Sequence, residues 1–204
     1  MGIFRALMEK PWIVEGVIDD VYGVDHESLP TAKFGLRVFL VVATVVFSLI
    51  VVTYADRMLV PDWRALPIPL VLWLNTAVLI LSSIALQWAR VSADRERVEG
   101  VKFGLILGGV FAVAFLAGQL VAWRQLIDLG YFAATNPANA FFYLLTALHG
   151  LHLLGGLVAW ARTSAKLRRG IALDRLRLSV ELCAIYWHFL LVIWLVLFGL
   201  LLFT

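Results

Sequence analysis

Cysteine occurs once in this 204-residue sequence, at Cys183, so no internal disulfide can staple the chain. Charge is also scarce. Only 15% of residues are Asp, Glu, Lys or Arg, against about 25% in an ordinary soluble domain, which excludes that class. Prolines are few, and Pro61, Pro67, Pro69 and Pro137 lie between long apolar runs rather than inside them, where a ring would break a helix. Met1–Pro30 carries charges throughout and lacks a long apolar core, so no cleavable signal peptide is expected. There is no phosphate-binding loop, soluble catalytic motif, nucleic-acid patch, low-complexity segment or repeated unit.

What the sequence has in excess is hydrocarbon: 62% of its residues are hydrophobic. Five runs approach or exceed the length of about 20 helical residues needed to cross a bilayer core. They lie near Gly35–Tyr54, Ile68–Trp88, Phe103–Gln125, Ala140–Ala161 and Leu178–Phe203. Each must satisfy its own backbone hydrogen bonds in lipid, so each is expected to be a helix. The fold expected is all-α, an integral membrane five-helix bundle over 34–204. Residues 1–33 would form a cytoplasmic segment, with an interfacial helix as one option and a mobile tail as the other.

The positive charges set a direction. The N-terminal segment, the second-to-third loop and the fourth-to-fifth loop together hold fourteen of the seventeen Lys and Arg residues; the opposite side holds only Arg57, Arg64 and Arg124. Basic loops stay inside, so the N-terminus is expected to be cytoplasmic and the C-terminus periplasmic. Trp88 and Trp160 fall at inner span ends, and Trp63 and Trp123 near outer ends, as interfacial rings would. The basic fourth-to-fifth loop, with Arg162, Lys166, Arg168 and Arg169, could also attract anionic lipid headgroups, beyond setting topology.

Polar residues within the spans are costly and therefore informative. Span four carries Thr146, His149 and His152, span five Glu181 and His188, span two Asn75 and span three Gln119. Thr146, His149, His152 and Gly156 fall on one helix face. At 1.5 Å per residue, His152 and His188 reach a similar depth, which suggests a polar network joining spans four and five. Glu181 and His188 share a face but stand about 10 Å apart along the axis, too far to bond directly. Gly150, Gly155 and Gly156 would admit a neighbouring helix, and Tyr186 and Trp187 read as contact residues with satisfied polar tips. Two other readings compete. Imidazoles bind metal or haem, yet the repeated Glu-x-x-His element of a two-helix iron site is missing. A proton-coupled carrier would want an acidic relay beyond Glu181 or a broken helix, and neither is present.

These residues carry a resemblance. FFYLLTALHGLHLLGG, residues 141–156, resembles the F-x-L-x-T-G-x-H-G-x-H-x-x-x-G signature of haem-copper oxidase subunit III, the cytochrome c oxidase subunit III family. VELCAIYWHFLLVIWLVLF resembles the closing helix of that family, and LPIPLVLWLNTAVLILSS its Pro…Asn-Thr…Ser-Ser element. Gln119 with Trp123 is similar to its Gln…aromatic element. The shorter bacterial form starts at the family's third helix, which implies an inside N-terminus, the direction the charges give. The chain departs from the pattern at three carboxylates, with Val42-Ala43, Ala122 and Leu191 in their places, and at Ala147, where the family has glycine.

The resemblance implies a non-catalytic subunit of a respiratory terminal oxidase in the bacterial inner membrane. Haem and copper would sit in the partner catalytic subunit I, with none in this chain, and oxygen reduction would occur there. This chain would pack beside subunit I and other oxidase subunits, bind phospholipid and support assembly and sustained turnover. A partner role for a nitric oxide reductase or another membrane enzyme is the alternative within the same family.

Overall fold

A computed structural model describes residues 28–203 apart from Ala65. Most of the 1–33 segment, including the possible interfacial helix, lies outside the described residues. Five helices follow one another: α1 Ser28–Arg57, α2 Leu70–Asp94, α3 Val98–Asp128, α4 Pro137–Arg168 and α5 Leu173–Leu202. All are long and apolar enough to cross a membrane, so the chain is a multi-pass, all-helical membrane protein. Each helix contains nearly all of its expected span, and most run past it by a turn or more. Helical hydrogen bonding can continue into the headgroup region, where charged side chains are tolerated.

The turns are built by backbone chemistry. Three helices end in the same reverse hydrogen-bond pattern, in which the residue two past the last helical one enters the left-handed region. After α3, Gly130 (φ 85°) takes that position, with Gly130 N–H bonded to Ile127 O and Tyr131 N–H to Leu126 O, both 2.9 Å. After α4, Gly170 (φ 73°) does the same. After α2 the position is filled by Glu96 (φ 57°), with Arg97 N–H on Ser92 O at 2.9 Å. The start of α4 is capped by Asn136, whose Oδ1 accepts from Ala138 N–H at 3.1 Å ahead of Pro137 in the first turn. The Asn136 amide also donates to Arg64 O (2.8 Å), tying the α3–α4 loop to the α1–α2 loop. Beside that loop Arg57 forks onto Asp62 at 2.7 and 2.6 Å. This hydrogen-bonded fork holds the Asp62 carboxyl below the usual carboxylate range.

From Leu36 onward the chain packs as one unit. Its centre is the α2–α3 hairpin, where small residues let the backbones nearly touch. A methyl group on Gly104 would stand 2.7 Å from Ala85 O and Ala89 N, and one on Gly108 would stand 2.7 Å from Leu86 Cγ. Helix α5 then lies along α2 and α4, burying Trp187, Leu190, Trp194 and Leu197 almost completely. From Leu36 on, α1 leans on the rest chiefly through a narrow stripe, Leu36, Leu40, Ala43, Phe47, Ile50 and Tyr54. These alternate four and three residues apart, as a helix leaning on its neighbours requires. The rest of its surface, with Val41, Val45, Leu49 and Val52, is exposed hydrocarbon.

Candidate functional site

The polar side chains inside the spans act mainly as rivets between helices. On α2, Thr76, Ser82 and Ser83 face α5 in antiparallel register. The Trp194 indole N–H donates to Thr76 Oγ1 (2.9 Å), and Thr76 donates to Leu72 O of its own helix (2.8 Å). One turn and a half further, the Trp187 indole N–H donates to Ser82 Oγ (2.9 Å), and Ser82 donates to Gly108 O of α3 (2.8 Å). A single hydroxyl thus joins three helices at a fully buried point. The next residue, Ser83, meets His188 Nδ1 at 2.9 Å. Asn75 reaches the other way, donating to Phe115 O of α3 at 3.3 Å. In hydrocarbon such bonds are worth about 0.6–2 kcal/mol each, and several in register fix the rotation of one helix on another.

The three span histidines do not meet. His149 is completely buried, its ring 5.7 Å from Phe115 and 5.2 Å from Trp194. Among the described residues neither of its nitrogens has a hydrogen-bond partner, so the expected interhelical hydrogen bond is not found there, and aromatic rings pack against the imidazole. His152, rotated by about 60° around α4, bonds through Nδ1 to Leu148 O of its own helix (2.8 Å). Its ring packs on Phe47 (5.2 Å) and Phe39 (6.1 Å) of α1. His188 belongs to α2 through Ser83. The link between α4 and α5 at this depth is a different one: Tyr186 O–H donates to His152 O (2.9 Å) across Gly156. A methyl group on Gly156 would lie 2.8 Å from both the Tyr186 and Trp187 rings.

The remaining predicted residues divide similarly. Glu181 approaches Arg90 of α2 at 3.6 Å. Next to it Arg177 caps the end of α2, with Nε 3.4 Å from the Asp94 carboxylate and an N–H on Asp94 O at 2.8 Å. Thr146 accepts from the Trp123 indole at 3.0 Å, linking α3 to α4. Gln119 is buried, and neither of its amide atoms has a hydrogen-bond partner among the described residues. Among the described residues a methyl group on Gly155 would meet nothing within 4 Å and one on Gly150 only Leu116 at 3.8 Å, so of the three span-four glycines only Gly156 makes a close contact there. Arg162 and Lys166 line a cleft of about 520 Å³ with Phe39, Gly155 and Tyr186. Arg168 lines a second cleft with Lys102 and Trp160, whereas Arg169 is exposed beyond the end of α4. Among the described residues no three His, Cys, Asp or Glu side chains converge as a metal-ligand set.

Sequence reasoning found Trp187, whose indole is indeed bonded and buried, but missed the glycines of α3 and the inward bonds of Trp194 and Trp160. Gly100, Gly104 and Gly108 recur every four residues, a legible small-residue stripe. Trp160 donates to Leu105 O at 2.7 Å across Gly109, a helix-to-helix bond that the expectation of an inner span end did not include. Two of the three positions where the chain departs from the family's carboxylates, Ala43 and Ala122, are buried. The third, Leu191, lines a groove between α2 and α5.

A model of the family described as cytochrome c oxidase subunit III matches residues 12–203. The chain is 30% identical over 181 residues to cytochrome c oxidase subunit 3 of Thermostichus vulcanus, covering 86% of this chain and 89% of that one. It is 29% identical over 180 residues to the Synechocystis subunit 3, covering 85% and 76% respectively. A probable subunit 3 of Mycobacterium leprae is 31% identical over 123 residues, 60% of this chain and 61% of that one. The match embraces all five helices and both histidine-bearing segments, and the chain belongs to the cytochrome c oxidase subunit III family.

Proposed function

We propose that this chain, as a non-catalytic subunit III of a haem-copper oxidase, acts as a rigid membrane buttress for the catalytic subunit that holds haem and copper. The observation that carries this is how the intramembrane polar groups are spent. Trp187, Ser82, Trp194, Thr76, Ser83 and His188 bond helix to helix, an arrangement suited to holding shape. The location that fits is the bacterial cytoplasmic membrane, since the relatives named above are bacterial. The N-terminus would be inside and the C-terminus on the periplasmic side, in keeping with the fourteen-to-three division of basic residues. The cleft with Arg162 and Lys166 at its rim and Gly155, Phe39 and Tyr186 along its wall suits an anionic phospholipid. Its headgroup would sit at the cations and an acyl chain along the apolar side. His149, His152, Glu181, Thr146, Asn75 and Gln119 serve the same scaffolding role through packing, capping and pairing.

The test is His188→Leu in the intact oxidase. The Ser83 link is lost, so less subunit III should remain with the complex through purification in mild detergent. The haem absorption spectrum should stay unchanged. A shifted haem spectrum, or metal retained by the isolated chain, would contradict the buttress role.

A further inference from the structure

We infer that the groove between α2 and α5 is the face that docks a transmembrane helix of the catalytic subunit. That helix would carry a hydroxyl or carboxylate at the depth of His188 and an acidic group near Arg95 and Arg97. The inference rests on the subunit reading above and adds to it a face and a contact chemistry.

The outward surfaces of the molecule are not alike. The lipid side of α3 exposes Phe103, Ile106, Val110 and Val113, which hydrocarbon satisfies completely. The α2–α5 groove, about 540 Å³, is different. Along α2 its lining runs from Ile80 to Ser92, about 18 Å, or a little over three turns of a helix. Within it lie Ser83, Gln87 and His188. His188 Nδ1 is engaged by Ser83, so when Ser83 donates, Nε2 carries the ring proton and has no acceptor among the described residues. Gln87 is half-buried and makes no hydrogen bond among the described residues. Acyl chains cannot serve an imidazole N–H or a primary amide, whereas a polar side chain on a neighbouring helix can.

Charge gives the second half of the match. At the inner mouth of the groove Arg95 and Arg97 make no ion pair among the described residues, although nearby Arg90, Lys102 and Arg177 each have a carboxylate. Two unpaired cations at the rim, above a floor that needs hydrogen bonds, complement a helix with an acidic inner end and a polar residue at mid-depth. The elongated shape and exposed Ile84 and Trp88 (57% and 60%) supply an apolar contact surface of helical length.

A photoreactive amino acid placed at Ile84 in the full oxidase tests this without disturbing the chain's own core, with Leu151 on α4, 64% exposed, as reference. Several-fold more adduct to the catalytic subunit from position 84 than from 151 is the expected result. A second measurement is retention of the chain in the detergent-purified oxidase: Ile84→Trp should reduce it several-fold and Leu151→Trp should not. Equal adducts from both positions, or adducts from 84 only to lipid or to a second copy of this chain, would overturn the groove assignment while leaving the subunit role standing. If the unaltered chain fails to purify with the catalytic subunit, the subunit role falls and the groove assignment with it.

Discussion

Glu96 and Ser82 show how much depends on single positions. Glu96 occupies the left-handed position that glycine fills after α3 and α4. That conformation costs a non-glycine residue about 1–2 kcal/mol, while a glycine gives up about 0.5–1 kcal/mol of extra chain entropy. Glu96→Gly should therefore stabilise the protein by about 0.5–1 kcal/mol, and Gly130→Ala should destabilise it, both seen as shifts in thermal unfolding in detergent. Ser82 both accepts from Trp187 and donates to Gly108. Ser82→Ala strands a buried indole N–H and should cost about 1–2 kcal/mol, within the range for intramembrane bonds. Ser48→Ala, at an exposed position on α1, should leave the unfolding midpoint where it is. If the two serines behave alike, the relay is not holding the helices.

Among elements, the α2–α3 hairpin is the one built for contact. Gly104→Ala drives a methyl group into the Ala85 and Ala89 backbone, and overpacking of this kind costs about 1–3 kcal/mol. Gly155→Ala meets open space and gains helix propensity, up to about 1 kcal/mol. Comparing unfolding of the two variants separates a glycine that permits packing from one that does not. Both kinds stand in apolar runs; the four-residue repeat through Gly104 was legible in the sequence, but the backbone it would meet was not. Span boundaries were legible because a bilayer imposes a length and prolines mark the breaks. The partners of His149, His152 and His188 were not. Residues three apart on a helix point about 60° apart, enough to send one ring into the core and the next toward α1.

For the molecule as a whole, the division of basic residues makes a topological prediction. A reporter that works only after export should be active when fused after Thr204 and inactive when fused at Gly170, in the basic α4–α5 loop. Activity of the opposite pattern would reverse the orientation argued from charge. The ion pairs Arg90–Glu181 and Arg177–Asp94 join α2 and α5 at that same basic end. Being partly exposed, they contribute about 0–1 kcal/mol each, so the buried tryptophan and serine bonds and close packing dominate the bundle's cohesion.

Composition and spacing alone determined that this protein is a set of membrane helices, where those helices lie and which family signature they carry. The bilayer demands long apolar runs, and these show in one dimension. Which polar group bonds to which, that Gly104 rather than Gly155 lets two backbones touch, and that α2 and α5 leave a groove with unspent hydrogen bonds were decided only in the tertiary structure. Those outcomes depend on the rotation and depth of each helix against its neighbours, and packing sets these across many residues at once.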